Sequence, residues 1–157
     1  MQSRRDWLAT AARGLALAAV AAVPAPLMGA LQSSPGLTVY KDEGCGCCRK
    51  WVDHMRANGF GVTAHDVPDI DVIKKQLGVP GSLASCHTAL VGGYVVEGHV
   101  PIADIDRLLA ERPARVRGIA VPGMPVGSPG MEAPDGRVEP YQVVAFDAAG
   151  NLAIYRG

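Results

Sequence analysis

Three of the protein's four cysteines fall in Gly44-Cys45-Gly46-Cys47-Cys48-Arg49-Lys50-Trp51, within four consecutive positions. The apolar run Leu37-Thr38-Val39-Tyr40 precedes this stretch, and after it Cys48, Val52 and Met55 recur at the spacing of one helical face. The cysteines therefore lie at a predicted strand-to-helix junction. Thiols clustered at such a junction indicate soft-metal or redox chemistry.

Outward from this stretch, the chain alternates predicted strands and helices. Strands are predicted at 37–41 and 60–66, with the cysteine-bearing helix between them ending at Asn58-Gly59. A short helix over 70–77, a hairpin turning at Gly92-Gly93 and a helix from Pro101 to about Glu111 follow. This β-α-β-α-β-β-α order predicts an α/β protein of the thioredoxin-like class.

The C-terminal part of the chain departs from this alternation. The segment from Gly118 to Pro140 is rich in glycine and proline and is predicted to be one long irregular loop. Loops of more than about 12–15 residues in a compact domain are usually functional or disordered. After it, Gln142–Phe146 and Leu152–Tyr155 are predicted to close the domain as a hairpin.

Composition excludes one class of partner. The chain has 157 residues, the length of one domain, with 15 basic and 15 acidic residues. Because Arg4, Arg5, Arg13 and Asp6 lie within the first thirty positions, 12 basic and 14 acidic residues remain beyond them. A mildly acidic body without a basic stripe argues against nucleic acid as a partner.

The N-terminus resembles an export signal. Ser3-Arg4-Arg5-Asp6-Trp7-Leu8 is similar to the twin-arginine motif, and the apolar run from Gly14 to Val23 follows it. That run is too short for a membrane span of about 20 residues, although an uncleaved anchor is the alternative. We therefore predict a twin-arginine-type signal peptide at 1–30, a linker at 31–36 and a domain at 37–157. The location would be periplasmic, with no stable membrane span after cleavage.

The spacing of the first three cysteines is unusual for a redox enzyme. Cys45 and Cys48 form a Cys-x-x-Cys pair at a helix N-terminus, where the helix dipole favours thiolate. A dithiol enzyme needs two thiols, and Cys47 would be a competing disulfide partner. Three crowded sulfurs suit the bridging of several soft ions better than the closed tetrahedral site that zinc prefers.

The fourth cysteine lies in Cys86-His87, just before a predicted strand. In the thioredoxin-like order, that position faces the N-terminus of the first helix. A fourth thiolate and an imidazole would thus join the cluster, which favours a metal site. A pair of structural disulfides is the alternative, with three connectivities open to four cysteines.

Two methionines and a second histidine extend the candidate ligand set. Met124 and Met131 lie in the Gly/Pro-rich segment, which has no helical or strand period to assign them to a core. Thioethers bind Cu(I), but methionine also commonly fills gaps in apolar cores. His99 precedes the last predicted helix and could be a ligand or an ordinary hydrogen-bonded histidine.

Four blocks of this sequence resemble the signature blocks of the CopG-like copper-resistance proteins, a family long catalogued as a domain of unknown function and predicted metal-binding protein. The blocks are Thr38–Lys41 with Cys45–Trp51, Ser85–Ala89, Gly93–Pro101 and Gly123–Glu132. The resemblance runs from about Leu37 to the C-terminus. It departs at Asp42-Glu43-Gly44, where Ser, Pro or Thr commonly precede the first cysteine of the family.

This resemblance implies a thioredoxin-like fold, an exported location and copper binding in copper or heavy-metal resistance. By position it implies metal binding by cysteines, and it also supports histidines and methionines as ligands: Cys45, Cys47, Cys48 and Cys86, then His87, His99, Met124 and Met131. Copper would be the bound metal, and periplasmic copper-handling or electron-transfer proteins would be the partners. Cycling of the metal between Cu(I) and Cu(II) would make the protein a copper oxidoreductase.

Two other functions remain open at this point. The protein could be a thiol-disulfide oxidoreductase, with Cys45 as nucleophile and Cys48 as resolving thiol. Alternatively, the cysteines could hold a structural zinc ion or disulfides that staple a binding module.

Overall fold

A computed structural model describes residues 35–156, which belong to one compact unit. The predicted signal peptide at 1–30 and residues 31–34 of the predicted linker lie outside the described residues. The elements are β1 (Gly36–Lys41), α1 (Gly46–Ala57), β2 (Gly61–Asp66), α2 (Ile70–Leu77), β3 (His87–Val91), β4 (Tyr94–Glu97), α3 (Ile102–Glu111), β5 (Gly118–Ala120), β6 (Val143–Phe146) and β7 (Leu152–Arg156). A single 3-10 turn at Gly81–Leu83 joins α2 to β3.

The seven strands form one mixed sheet in the order β2-β1-β3-β4-β5-β6-β7. The pairs β1–β2 and β4–β5 are parallel, and the remaining neighbours are antiparallel. Since β1 is flanked by β2 and β3, the strand that leads into the cysteine turn lies beside the strand that follows Cys86. The sheet therefore carries all four cysteines to one end of β1 and β3.

Helices cover both faces of the sheet because the central strands alternate their side chains between two apolar clusters. Trp51 and Met55 of α1 and Ile105 of α3 pack in one cluster, together with alternate strand residues such as Val96. The neighbouring Val95 points into the second cluster, beneath the end of α2 and the 3-10 turn. Strands buried on both faces are expected in a sheet with this two-sided cover.

The sequence order β-α-β-α-β-β-α is confirmed from β1 to α3. The hairpin at Gly92-Gly93 and the C-terminal hairpin are confirmed as well, with β6 and β7 paired antiparallel. The prediction of an irregular segment from Gly118 is wrong for its first three residues. They form β5, because Ile119 and its neighbours are buried between β4 and β6. Within residues 35–156, no helix is long and apolar enough to cross a membrane.

Helix α1 begins at the cysteine cluster and is capped by it. Cys45 is the N-cap, and its sulfur lies 3.3 Å from the backbone nitrogen of Cys48. The helix buries Cys48, Trp51, Val52 and Met55 against the sheet and ends at Asn58, as the sequence predicts. The sulfur that defines the start of the helix thus belongs to the candidate site.

The loop between β5 and β6 lies directly on α1. Gly130 has a positive φ of 85°, and a Cβ atom there would lie 2.8 Å from the backbone nitrogen of Trp51 and 3.0 Å from the carbonyl oxygen of Cys47. The loop is closed locally by a hydrogen bond from Gly127 N–H to the Met131 carbonyl at 2.8 Å. Only glycine permits this close approach of the loop to the helix backbone.

We expect Gly130→Ala to destabilise the protein more than Gly136→Ala. Gly136 also has a positive φ, 73°, but a Cβ atom there would meet nothing within 4 Å. Both variants pay the left-handed backbone cost of about 1–2 kcal/mol, and only Gly130→Ala adds a clash with helix backbone. Urea unfolding should therefore show the larger loss of unfolding free energy for Gly130→Ala. Equal losses would mean that the loop does not press on α1.

Candidate metal centre

The four cysteine sulfurs converge at the N-terminus of α1, within 4.8 Å of one another. Cys45 and Cys48 form a disulfide, with their Cα atoms 5.3 Å apart, while Cys47 and Cys86 are free thiols. The sulfur of Cys47 lies 3.5 Å from that of Cys45 and 3.8 Å from that of Cys86. Of the two disulfides in the sequence-based alternative, one is therefore present, between Cys45 and Cys48, and Cys47 and Cys86 do not form the other.

Cys86 reaches this cluster because its segment is held against α1. The residue precedes β3, and the sulfur of Cys48 lies 3.6 Å from the carbonyl oxygen of Cys86. Ser85 is fixed on both sides: its N–H donates to the Glu97 carboxylate at 2.6 Å, and its hydroxyl donates to the Gly123 carbonyl. The position of the fourth sulfur thus depends on the hydrogen bonds of the preceding residue, Ser85.

A buried ion pair lies beneath this segment, and sequence reasoning did not find it. The carboxylate of Glu97 has no exposed surface and accepts hydrogen bonds from Lys74 at 2.5 Å and from the Thr88 hydroxyl at 2.6 Å. Lys74 also donates to the Thr88 hydroxyl at 3.0 Å. The signal was present in the sequence, because Lys74 lies on the same face of α2 as Ile70 and Leu77.

Both predicted histidines lie beside Cys86. His99 Nε2 is 3.0 Å from the Cys86 sulfur, and His99 Nδ1 is 2.8 Å from the carbonyl oxygen of Pro129. Because a carbonyl only accepts, Nδ1 carries the proton of the neutral ring and leaves the Nε2 lone pair facing the sulfur. His87 Nδ1 lies 3.4 Å from the same sulfur. Cys86, His87 and His99 form a second group of candidate ligands within 4.8 Å.

His87 has an uncommitted nitrogen. Its ring is fully buried, and Nε2 has no hydrogen-bond partner among residues 35–156. Trp51 packs against it with ring centroids 4.4 Å apart, and donates its own indole N–H to the Val100 carbonyl at 3.1 Å. A buried histidine with one unpaired nitrogen, and with its other nitrogen 3.4 Å from a cysteine sulfur, fits a metal site.

Burial sets the protonation of the inner groups. Burial and the adjacent Cys47 thiol raise the pKa of Cys86 to about 12. Burial also lowers the pKa of His99, and burial, His99 and Lys74 lower that of His87 well below its ordinary value of 6.5. The predicted acidity of the cysteines in α1 does not extend to Cys86, which has no helix N-terminus of its own. The metal-free site is therefore neutral at its inner end.

The two candidate methionines lie in different surroundings. Met131 is partly buried and lines a cleft of about 610 Å³ together with Cys47, Arg49 and Lys50. Met124 is 52 % exposed and follows Gly123, whose carbonyl oxygen accepts the hydrogen bond from the Ser85 hydroxyl. Met131 thus shares a cleft with Cys47, whereas the Met124 side chain lies largely in solvent.

We expect stability to fall on acidification between pH 7 and pH 5.5. Because the folded protein holds His87 and His99 neutral, the unfolded chain binds protons near pH 6.5 that the folded chain does not. Each such proton lowers the unfolding free energy by about 1.4 kcal/mol per pH unit below that value. Urea unfolding of the metal-free disulfide form at several pH values measures the slope.

The matched variants are His87→Phe and His65→Phe. The first removes one buried imidazole and should reduce the slope by about one proton. The second replaces an exposed histidine of β2 by the same residue and controls for the substitution itself. Stability that is flat from pH 7 to pH 5.5 in the unmodified protein would show that the folded site accepts protons freely.

The chain is similar to known proteins in both sequence and structure. Residues 83–131 match the family described as "Protein of unknown function, DUF411", a span that includes Cys86, His99 and Met131. No curated protein matches the chain. Two solved structures do, and their titles are "Copper resistance protein copG- Form 2" and "Copper resistance protein copG- Form 1".

Both structures are 49% identical to this chain. Form 2 has a TM-score of 0.72, with 77% of this chain and 95% of that chain covered. Form 1 has a TM-score of 0.71, with 78% and 98% covered. The chain belongs to the family of the copper resistance protein CopG.

Proposed function

We propose that this chain is an exported copper-binding protein of copper or heavy-metal resistance. The observation that carries the proposal is the placement of four cysteine sulfurs within 4.8 Å of one another, in a chain 49% identical to copper resistance proteins. Thiolates are soft ligands that select Cu(I), and one thiolate can be shared by neighbouring ions. Cys45, Cys47, Cys48 and Cys86 would therefore hold Cu(I).

Reduction must precede full occupation of such a site. Cys45 and Cys48 are joined in the described state, so two of the four sulfurs cannot act as thiolates until two electrons enter the disulfide. Cys47 and Cys86 are free in the same state. The number of copper ions held would therefore depend on the oxidation state of the Cys45–Cys48 pair.

The inner histidines and the outer methionine support a mixed ligand set. Imidazole nitrogen suits Cu(II), and thioether sulfur suits Cu(I). His87 and His99 lie on the buried side of Cys86, while Met131 lines the cleft beside Cys47. On this basis we propose that the site cycles copper between Cu(I) and Cu(II), as a copper oxidoreductase would.

The scaffold and location are part of the same proposal. The order of elements from β1 to α3 and the Cys-x-x-Cys pair at the start of α1 support a thioredoxin-like domain over 37–157. The twin-arginine-like segment within residues 1–30 supports a signal peptide and a periplasmic location. The partners would be copper ions and periplasmic copper-handling or electron-transfer proteins.

One observation favours the second candidate function, a thiol-disulfide oxidoreductase. The Cys45–Cys48 pair forms a disulfide at the N-terminus of a helix, with Cys45 partly exposed and Cys48 buried. That asymmetry suits an attacking outer thiol and a resolving inner one. Cys47 separates the two functions, because a dithiol enzyme does not need it and a shared metal cluster does.

We expect the fully reduced protein to bind more than one equivalent of Cu(I) tightly under anaerobic conditions. The protein with the Cys45–Cys48 disulfide intact should bind fewer, because two thiolates are missing. Titration against a Cu(I) chelator of known affinity gives both numbers, and X-ray absorption at the copper edge reports sulfur ligation.

Cys47→Ser is the matched variant. It should lower the Cu(I) capacity while leaving reduction of the Cys45–Cys48 disulfide by an added dithiol largely intact. Tight binding of less than one equivalent by the fully reduced wild-type protein would refute the copper proposal. Elemental analysis of protein from copper-supplemented cells tests the zinc alternative, which predicts that the purified protein contains zinc in place of copper.

We expect Met131→Leu to weaken Cu(I) binding more than Met124→Leu. Met131 lines the cleft beside Cys47, whereas Met124 is largely in solvent. Leucine conserves the volume of methionine, so a difference between the two variants reports the thioether. Loss of one weak ligand should lower the affinity by roughly tenfold, or about 1.4 kcal/mol. Identical affinities for both variants would place Met131 outside the ligand shell.

A further inference from the structure

Successive contacts connect the four sulfurs of the compact cluster. Cys48 is bonded to Cys45, Cys47 lies 3.5 Å from Cys45, and Cys86 lies 3.8 Å from Cys47. Each free thiol therefore lies close to a sulfur that belongs, or can belong, to a disulfide. Thiol-disulfide exchange requires this kind of contact between an attacking sulfur and a disulfide sulfur.

We propose that the site is an internal disulfide relay, in which Cys47 moves the disulfide from Cys45–Cys48 to Cys47–Cys86. The relay goes beyond copper binding, because it needs no metal. It also differs from a two-cysteine oxidoreductase, because the extra cysteine in the Cys-x-x-Cys pair is the residue that transfers the bond.

In the first step, the sulfur of Cys47 attacks the sulfur of Cys45. The Cys45–Cys48 bond breaks, a Cys45–Cys47 bond forms, and Cys48 leaves as the thiolate. The proton that Cys47 loses ends on Cys48, so the chain keeps one disulfide and two thiols. The two sulfurs must close from 3.5 Å to a bond of about 2.05 Å, which side-chain rotation at the start of the helix can supply.

In the second step, the sulfur of Cys86 attacks the sulfur of Cys47. The Cys45–Cys47 bond breaks, a Cys47–Cys86 bond forms, and Cys45 leaves with the proton that Cys86 gives up. No outside oxidant or reductant is consumed, since the product is an isomer of the starting protein.

Burial favours an internal attacking group over an external one. Cys48 has no exposed surface, whereas Cys45 and Cys47 are partly exposed. Near Cys45, the groove on the side of Gly44 is lined by the carboxylates of Asp42 and Glu43, which repel an anionic thiol. Because Cys47 already contacts the disulfide, its attack carries no free-energy cost of association, whereas the attack of an external thiol does. The end state leaves Cys45 and Cys48 as a free dithiol at the helix N-terminus.

The test follows the disulfide in metal-free protein that carries one disulfide and two thiols per chain. Trypsin cleavage after lysine and arginine separates residues 42–49, with three cysteines, from residues 76–107, with Cys86. The protein is incubated anaerobically with a chelator, its thiols are blocked with an alkylating reagent, and the digest is analysed without reduction. The relay predicts a growing population in which the two peptides are linked, while the thiol count stays at two.

Two variants identify the transferring residue. Cys47→Ser should reduce the linked population by about tenfold or more, because Cys86 then loses the sulfur that it contacts at 3.8 Å and has only direct attack on the Cys45–Cys48 disulfide left. Cys86→Ser should abolish the link but still allow exchange among the three cysteines of residues 42–49, seen by tandem mass spectrometry of differentially alkylated peptide. The Cys86→Ser measurement therefore tests formation of the Cys45–Cys47 bond even if a Cys47–Cys86 disulfide would strain the fold.

Three outcomes would overturn the relay. The first is a wild-type disulfide that stays at Cys45–Cys48 throughout, and the second is a linked population that is unchanged in Cys47→Ser. The third is a link that appears only as the thiol count falls below two, since it would then come from oxidation. None of these outcomes affects the copper titration, which measures a different property of the same cysteines.

Discussion

The site depends on the buried carboxylate of Glu97. This group holds the Ser85 N–H, the Thr88 hydroxyl and the Lys74 ammonium at once, and so fixes the segment that carries Cys86. A buried ion pair adds little net stability, but removing one partner leaves an uncompensated charge at a cost of about 3–5 kcal/mol. The pair therefore acts on geometry more than on stability. It keeps the fourth sulfur in front of the N-terminus of α1.

Desolvation divides the site into an outer and an inner half. Cys45 and Cys47 are partly exposed beside the cleft, whereas His87 and His99 are buried behind Cys86. In the inner half, burial keeps both imidazoles neutral, and a neutral imidazole retains the lone pair that a metal requires. Two of the soft sulfurs thus face the solvent and both imidazoles face the core. This arrangement is expected if a soft ion enters from outside and meets the harder nitrogen ligands only within.

Much of this arrangement could be predicted from the sequence, for reasons that concern particular residues. Apolar periodicity around Val52 and Met55 predicted α1, and strand order then placed Cys86 opposite its N-terminus. Apart from the Lys74–Glu97 ion pair, the features that escaped prediction depend on contacts without a sequence signature. The Pro129 carbonyl that orients His99 is a backbone atom in an irregular loop, and any residue type offers one. The joined state of Cys45 and Cys48 escaped as well, since spacing alone leaves several pairings open.

The distances along the chain between the ligands carry a consequence for folding. Cys45, Cys47 and Cys48 are neighbours in sequence, but the contact between Cys47 and Cys86 spans 39 positions and that between His99 and Pro129 spans 30. An extended chain can offer a metal the first three sulfurs and nothing more, because the other donors arrive only with non-local strand pairing. Any ligand that needs the complete set binds the folded chain in preference to the unfolded one and stabilises it by mass action. Copper bound at the complete site would then stabilise the native fold. The complete site would form only after the long-range strand pairings, whose loop closures slow the folding of the sheet.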